Sequence, residues 1–266
     1  MLTTKLPVAR ADAEVGVQAL DPREEAEFET LRLMGQRLHV PIFEAFWVME
    51  VMDREGGPVQ SLRQRSHSFV RNAYNHLLSQ LAAKNGDGGA VFGGGFINIK
   101  DTAGTVQTGG LPILTGHDSN SSSTQSLDFA SSFSQGILTT AGADFKGIVV
   151  GSGANPESFE GFALQSQILN GTTAGKLSYI QSEPVAVSYN AGTLTLTVTD
   201  SRFFNNNSGG NVDVNEVAIY LIGKAGSSGQ SNVAWMAARD KLAATVTVPN
   251  TGQLKVTYTI SLTYPA

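Results

Sequence analysis

The chain has no cysteine among its 266 residues, which excludes disulfides and thiolate metal sites and leaves stability to packing within or between chains. Charge is scarce as well. Asp, Glu, Lys and Arg make up 15%, against roughly 25% in an average soluble domain. The net charge of −5 argues against general nucleic-acid binding, which needs a basic surface, and no nucleic-acid partner is expected. No run of about 18 apolar residues occurs, so no helical membrane span is expected. The opening MLTTKLPVARADAE lacks the apolar core of a secretory leader, and none is expected. The four histidines, His39, His67, His76 and His117, have no ligand partner at i+2 or i+4 and no attendant carboxylate cluster. Neither a metal nor another cofactor is therefore expected.

Glycine is abundant, and it is unevenly placed. Of 29 glycines, 4 precede residue 86 and 25 follow it, while residues 1–85 hold 10 of the 18 Lys+Arg and 11 of the 23 Asp+Glu. This shift places a boundary at KNGDGG (Lys84–Gly89). It divides an N-terminal arm and helical assembly region, residues 1–85, from a β domain, residues 86–266.

The first 20 or so residues show no period and read as an extended arm that orders only on assembly. Asp21-Pro22 reads as an N-cap followed by proline at the first helical position, and Glu24, Glu25 and Glu27 suit the positive helix end. Phe28, Leu31, Met34 and Leu38 then recur at spacings of three and four, which predicts a helix to about Arg37. FEAFWVMEV alternates like a strand, DREGGPV turns the chain, and SFVRNAYNHLLSQLAAKNG returns to helix. Its predicted buried stripe is Phe69, Val70, Ala73, Tyr74, Leu77, Leu78 and Leu81.

From Val91 onward short apolar runs alternate with Gly, Asn and Pro at spacings that predict an antiparallel β-sandwich or jelly-roll. VAIYLI (Val217–Ile222) is apolar on both faces, as a central strand covered on both sides must be. KVTYTISLTY alternates Val256, Tyr258, Ile260 and Leu262 against Lys255, Thr257, Thr259 and Ser261, so one of its faces is wet. This strand is expected to pack beside ATVTV (Ala244–Val248) in a hairpin turned by PNTGQ. Upstream, NVAWMAARD is expected to stop at the charge pair Arg239-Asp240.

No motif assembles a reaction centre, and no enzymatic activity is expected. LNGTTAGKLS approaches a phosphate-binding loop but is one residue short, with Leu177 where Ser or Thr should hold magnesium, so it reads as a turn. Gly93–Gly95 reads as a bulge. Asp200, Asp213, Glu216 and Asp240 flank strand ends. A pair brought together by folding would be raw material for a glycosidase, but turn caps and solvated charges are the plainer reading. RQRSHSFVR gathers Arg63, Arg65 and Arg71 at a predicted helix start, read either as a carboxylate or phosphate contact or as a solvated face. With the aromatic anchors Phe43, Trp47 and Phe69 they form the expected assembly interface.

GIVVGSG (Gly147–Gly153), VNEVAIYL (Val214–Leu221), MAARD (Met236–Asp240) and VTVPNTGQLKVTYTISL (Val246–Leu262) follow one another in an order that resembles structural proteins of tailed bacteriophages. Those proteins carry a GTG strand, an EAGLF-like strand, an ARD strand end and a closing LtVtYti strand. RSHSFVRNAYNHLL (Arg65–Leu78) is similar to a helix upstream in some of them. Here GSG stands for the first motif and VAIYL for the second. The resemblance implies a virion component, capsid-associated, at the head–tail junction or in the tail, whose partners are copies of itself and other virion proteins. An alternative is a tail or fibre module that recognises host surface glycans through HDSNSSSTQS (His117–Ser126) and FFNNNSGG (Phe203–Gly210).

Overall fold

The computed structural model describes residues 17–18, 20–82, 99–107, 137–225 and 231–265. Residues 1–16 of the predicted arm, Gly93–Gly95 and the loop His117–Ser126 lie outside them. In chain order the elements are β1 (Val17–Gln18), α1 (Pro22–Leu38), β2 (Ile42–Met52), β3 (Pro58–Arg65), α2 (Arg71–Ala82), β4 (Ile99–Lys100), β5 (Val106–Gln107), β6 (Gly147–Gly151), β7 (Ser178–Tyr179), β8 (Ala186–Asn190), β9 (Thr195–Asn205), β10 (Val212–Ala225), β11 (Ser231–Val248) and β12 (Gln253–Thr263).

The chain is mainly β. One sheet runs β1-β3-β2-β12-β9-β7, with β8 also on β9; a second runs β11-β10-β6; β4 and β5 form a ribbon. All pairings are antiparallel except β1 with β3. The first sheet crosses the sequence boundary at Lys84–Gly89, because β2 lies along β12 from Met52–Gln253 to Ile42–Thr263. The two larger sheets feed one hydrophobic cluster, with Trp47, Met49 and Val51 from β2, Val256 and Tyr258 from β12, and Val217 and Ile219 from β10.

Local chemistry starts and stops the elements as the sequence predicts in the front part. Asp21 caps α1 by accepting from the Arg23 amide at 2.9 Å, Pro22 opens the helix, and His39 closes it in the left-handed region at φ 55°. Asp53 accepts from the Glu55 and Gly57 amides in the turn between β2 and β3, where Gly56 takes φ 79°.

Three expectations need correction. First, of the predicted inward side of β12, Val256 and Tyr258 are buried while Ile260 and Leu262 are only half-buried, and the strand does not pair with β11. Residues 249–252 carry the chain from the second sheet to the first, and β12 inserts between β2 and β9, which take its ladder bonds on both sides. Second, Arg239-Asp240 does not end a strand. β11 continues through it, absorbing Leu242–Thr245 in a bulge as its register steps from Glu216–Lys241 to Val214–Val246. Third, the stripe on α2 is displaced. Val70 is buried, but Tyr74 and Leu77 are exposed, and Asn72 and Asn75 face inward. Asn72 exchanges two hydrogen bonds with the Lys100 backbone and donates to the Met236 carbonyl, which offsets the cost of its burial. The side chains of Leu78 and Leu81 lie outside those described.

The two sheets are also joined along one margin by glutamine. Gln60 accepts from Thr247 N (3.0 Å) and donates to Thr245 O (2.8 Å); Gln64 accepts from Ala243 N (2.9 Å) and donates to Lys241 O (3.0 Å). Each side-chain amide thus serves β11 as a peptide group of a neighbouring strand would.

Candidate functional site

The most developed cluster is a buried charge centre on the two faces of β10 and β11. Glu216 is fully buried on β10. Its Oε1 accepts from the amides of Gly153 (3.1 Å) and Ser166 (2.8 Å), and its Oε2 accepts from Gln165 N (3.0 Å) and Arg239 Nε (2.7 Å). Arg239 then donates from Nη1 to Pro156 O and from Nη2 to Asn155 O, both at 3.1 Å. One carboxylate and one guanidinium thereby clamp the segment 152–168 over this face. Two glycines make room for the carboxylate: a Cβ on Gly151 would sit 2.6 Å from Glu216 Oε1, and one on Gly153 only 2.4 Å.

The opposite face carries Asp240, also fully buried. Oδ2 accepts from Trp47 Nε1 (2.7 Å) and Ser66 Oγ (2.6 Å); Oδ1 accepts from His67 N (2.7 Å) and, at 3.3 Å, Ser68 Oγ. Burial pushes this carboxyl above its ordinary range, and the donors from Ser66, His67 and Trp47 pull it back. Every partner of Asp240 comes from β2 or the residues just after β3, so it ties the two sheets together.

A second network docks α1 on the outer face of the first sheet. Arg65, 1% exposed, donates from Nε to Glu25 (2.8 Å) and from Nη1 to Glu44 (2.6 Å), with Phe28 and Phe46 rings 3.8 and 4.6 Å from its guanidinium. Arg32 completes the pair on Glu44 from Nε and Nη2. Burial alone would raise the Glu44 carboxyl, but the bonds from Arg32 and Arg65 outweigh it and hold the group below its ordinary value.

Arg202 and Asp200 on β9 face the same interior. The Arg202 guanidinium donates to the carbonyls of Ile180, Lys146, Ile148 and Ala143 at 2.6–3.0 Å, and burial draws it down to about 10. It remains charged at neutral pH. Among the described residues neither Asp200 oxygen has a partner at hydrogen-bond geometry, and burial pushes this carboxyl up to about 7, opposed by the adjacent Ser201 amide dipole and the Arg202 charge.

The predicted interface residues separate. Trp47 and Arg65 are enclosed by the chain itself, with Trp47 Nε1 bonded to Asp240 and the Arg65 guanidinium to Glu25 and Glu44. Phe69 is half-buried against the core, and Arg63 lies over the Phe46 ring at 4.2 Å. Phe43 is exposed; Arg71 is also at the surface, paired with Glu160 over the Phe159 ring. Arg63 and Arg65 belong to a strand, and only Arg71 opens a helix.

Among the carboxylates read as turn caps, Asp213 accepts from Thr247 Oγ1 at the surface, whereas Asp200, Glu216 and Asp240 are interior. The signal for Glu216 was present in the glycine pair of GSG, which admits a carboxylate where any side chain would exclude it. FFNNNSGG closes on itself: buried Asn206 donates to Gly210 O and Val248 O and accepts from Ser208. LNGTTAGKLS is a turn, with Gly171 N bonded to Leu177 O.

Among the described residues no three His, Cys, Asp or Glu side chains are grouped to hold a metal. His39 caps α1, His67 pairs with Glu24, and His76 lies against Trp235, where burial draws it down to about 4; His117 is outside the described residues. On the wet face of the first sheet, hydroxyls pair across β9 and β12: Thr195–Thr263, Thr197–Ser261, Thr199–Thr259 and Ser201–Thr257, at 3.0–3.4 Å. A groove of about 580 Å³ opens beside them, lined by Arg32, Gln36, Asn190, Thr195 and Tyr264 among others. Compared with protein families, curated proteins and solved structures, the chain matches none.

Proposed function

We propose that this chain is a structural component of a tailed-bacteriophage virion, not an enzyme, and that its two larger sheets form a β-sandwich of jelly-roll type. What carries the reading is where the resembling segments meet. GIVVGSG supplies Gly151 and Gly153, VNEVAIYL supplies Glu216, and MAARD supplies Arg239 and Asp240, all to one buried centre. RNAYNHLL supplies the buried Asn72, and the closing segment supplies β12. Segments that resemble one family in order thus also cooperate in space. The ionisable groups of this centre are occupied in holding strands and loops, the work of a scaffold. In the assembled particle the partners are like copies and other virion proteins.

The test is mass spectrometry of particles purified by density gradient from a lysate of a host that carries the coding sequence. The chain should band with the particles at a fixed ratio to the major capsid protein. Its absence from washed particles would end the reading.

The groove beside Asn190 and Tyr264 favours a second reading, the glycan-recognising module. It combines amide, hydroxyl and guanidinium groups with an aromatic ring, which is the chemistry of a sugar subsite. A glycan array with the purified chain tests it, with Asn190→Ala expected to abolish any signal.

A further inference from the structure

The inner face of the first sheet extends beyond its cover. Residues that pair across strands point to the same side, so the register defines rows. The row Trp47–Tyr258–Asp200 lies under the second sheet and is buried. The next row, Ala45–Ile260–Val198–Val187, begins buried at Ala45 and ends with Val187 at 64% exposure. The row after it is Phe43–Leu262–Leu196–Tyr189, with Phe43 at 58% and Tyr189 at 54%. Tyr264 abuts Tyr189 edge-on, with ring centroids 6.2 Å apart. No charged side chain stands in either outer row. Toward this end of the sheet, Thr195–Ser201 of β9 and Thr257–Thr263 of β12 keep hydroxyls on the wet side, while Leu196, Val198, Ile260 and Leu262 put apolar side chains on this one.

We infer that this apolar end of the sheet is the contact surface for a second copy of the chain, packed face to face about a two-fold axis. The argument is one of area and self-complementarity. Full aromatic side chains bury about 150–250 Å², so Phe43, Tyr189, Tyr264 and Val187 leave roughly 400 Å² per copy; with the half-buried Ile260, Leu262, Leu196 and Val198 a symmetric pair reaches about 1,000 Å², the lower limit of specific interfaces and the size of a weak, reversible contact. A flat face of two four-residue apolar rows also opposes itself without bringing like charges together, as an isologous contact requires. The inference deepens the assembly reading and rests on it for the expectation that copies of the chain meet.

The full chain is tested by sedimentation velocity from about 1 to 100 µM, spanning the affinities of ordinary reversible dimers. A concentration-dependent dimer is expected. Val187→Asp and Tyr189→Asp, both at an exposed edge, should weaken it by about tenfold or more while circular dichroism stays unchanged. Val59→Asp, an exposed apolar residue on β3, should leave it intact. The absence of native cysteine permits a geometric check: Tyr189→Cys should give a covalent dimer with a short bis-maleimide, and Val59→Cys should not. A wild-type chain that stays monomeric throughout would overturn the inference, as would a dimer indifferent to both Asp substitutions or one cross-linked through Val59→Cys instead. A monomer in solution that is found in particles defeats the dimer alone; a dimer missing from particles defeats the virion reading alone.

Discussion

Trp47 and Asp240, 193 residues apart, share a buried hydrogen bond of 2.7 Å from the indole nitrogen to the carboxylate, and through it the two sheets are pinned at their centre. Trp47→Phe keeps most of the apolar contact but removes the donor from Oδ2. Leaving a buried acceptor short of a partner costs about 1–3 kcal/mol. The urea midpoint should fall accordingly with unchanged slope. A loss below about 0.5 kcal/mol would mean the indole donor is dispensable, since surface changes already reach that size.

Gly153→Ala should be more damaging than its small size implies. The new methyl would lie 2.4 Å from Glu216 Oε1 and 2.6 Å from Gln165 Cβ, so the clamp on segment 152–168 must open. We expect a loss of about 2 kcal/mol or more, the cost of a buried charge deprived of partners. Gly210→Ala, with nothing within 4 Å of the added carbon, is the control and should stay within about 0.5 kcal/mol. Equal effects in thermal unfolding would remove the steric argument.

Asp200 gives a pH dependence of known sign. Its folded-state value near 7 exceeds the ordinary 3.8, so between these limits the folded chain binds more protons than the unfolded one. The stabilisation is full below about pH 4 and is lost as pH rises through about 7, by on the order of 1–4 kcal/mol at roughly 1.4 kcal/mol per unit. Asp200→Asn should flatten that slope and gain on the parent chain at pH about 8. Parallel pH profiles for the two proteins would show that Asp200 is ionised throughout.

The glutamine bonds to β11 predict a local effect. Gln60→Ala and Gln64→Ala should each cost about 0.5–1.5 kcal/mol. Hydrogen exchange should accelerate at the Thr247 amide in the first variant and at Ala243 in the second, each leaving the other site protected. Uniform acceleration across the chain in either variant would contradict a local role.

What was legible in the sequence is what neighbours in the chain decide. Asp21-Pro22 announces α1 because capping acts within one turn, and VAIYLI announces a doubly covered strand because both its faces are spelled out in six residues. What was hidden depends on distant partners. Asn72 falls outside the apolar stripe read for α2, and its burial depends on the carbonyl of Met236, 164 residues away, that receives it. Asp240 reads as a strand end because its donors lie on β2 and beyond β3. The β11–β12 hairpin was the natural inference from a short turn, yet turn chemistry fixes where a strand stops and not which sheet the next one joins. Alternation gives Leu262 and Phe43 a side within their own strands, but only the pairing register brings them and Leu196 to one face, and the extent of its cover depends on how far the second sheet reaches.

The insertion of β12 between β2 and β9 also sets an order of events during synthesis. Met52 has its β3 neighbour within moments, but its other side must wait for Gln253. At about 5–20 residues per second that delay is roughly 10–40 s. Until then the edge of β2 that β12 will occupy has no partner strand from the chain itself, and chaperones or neighbouring nascent chains have access to Trp47, Met49 and Val51 along it.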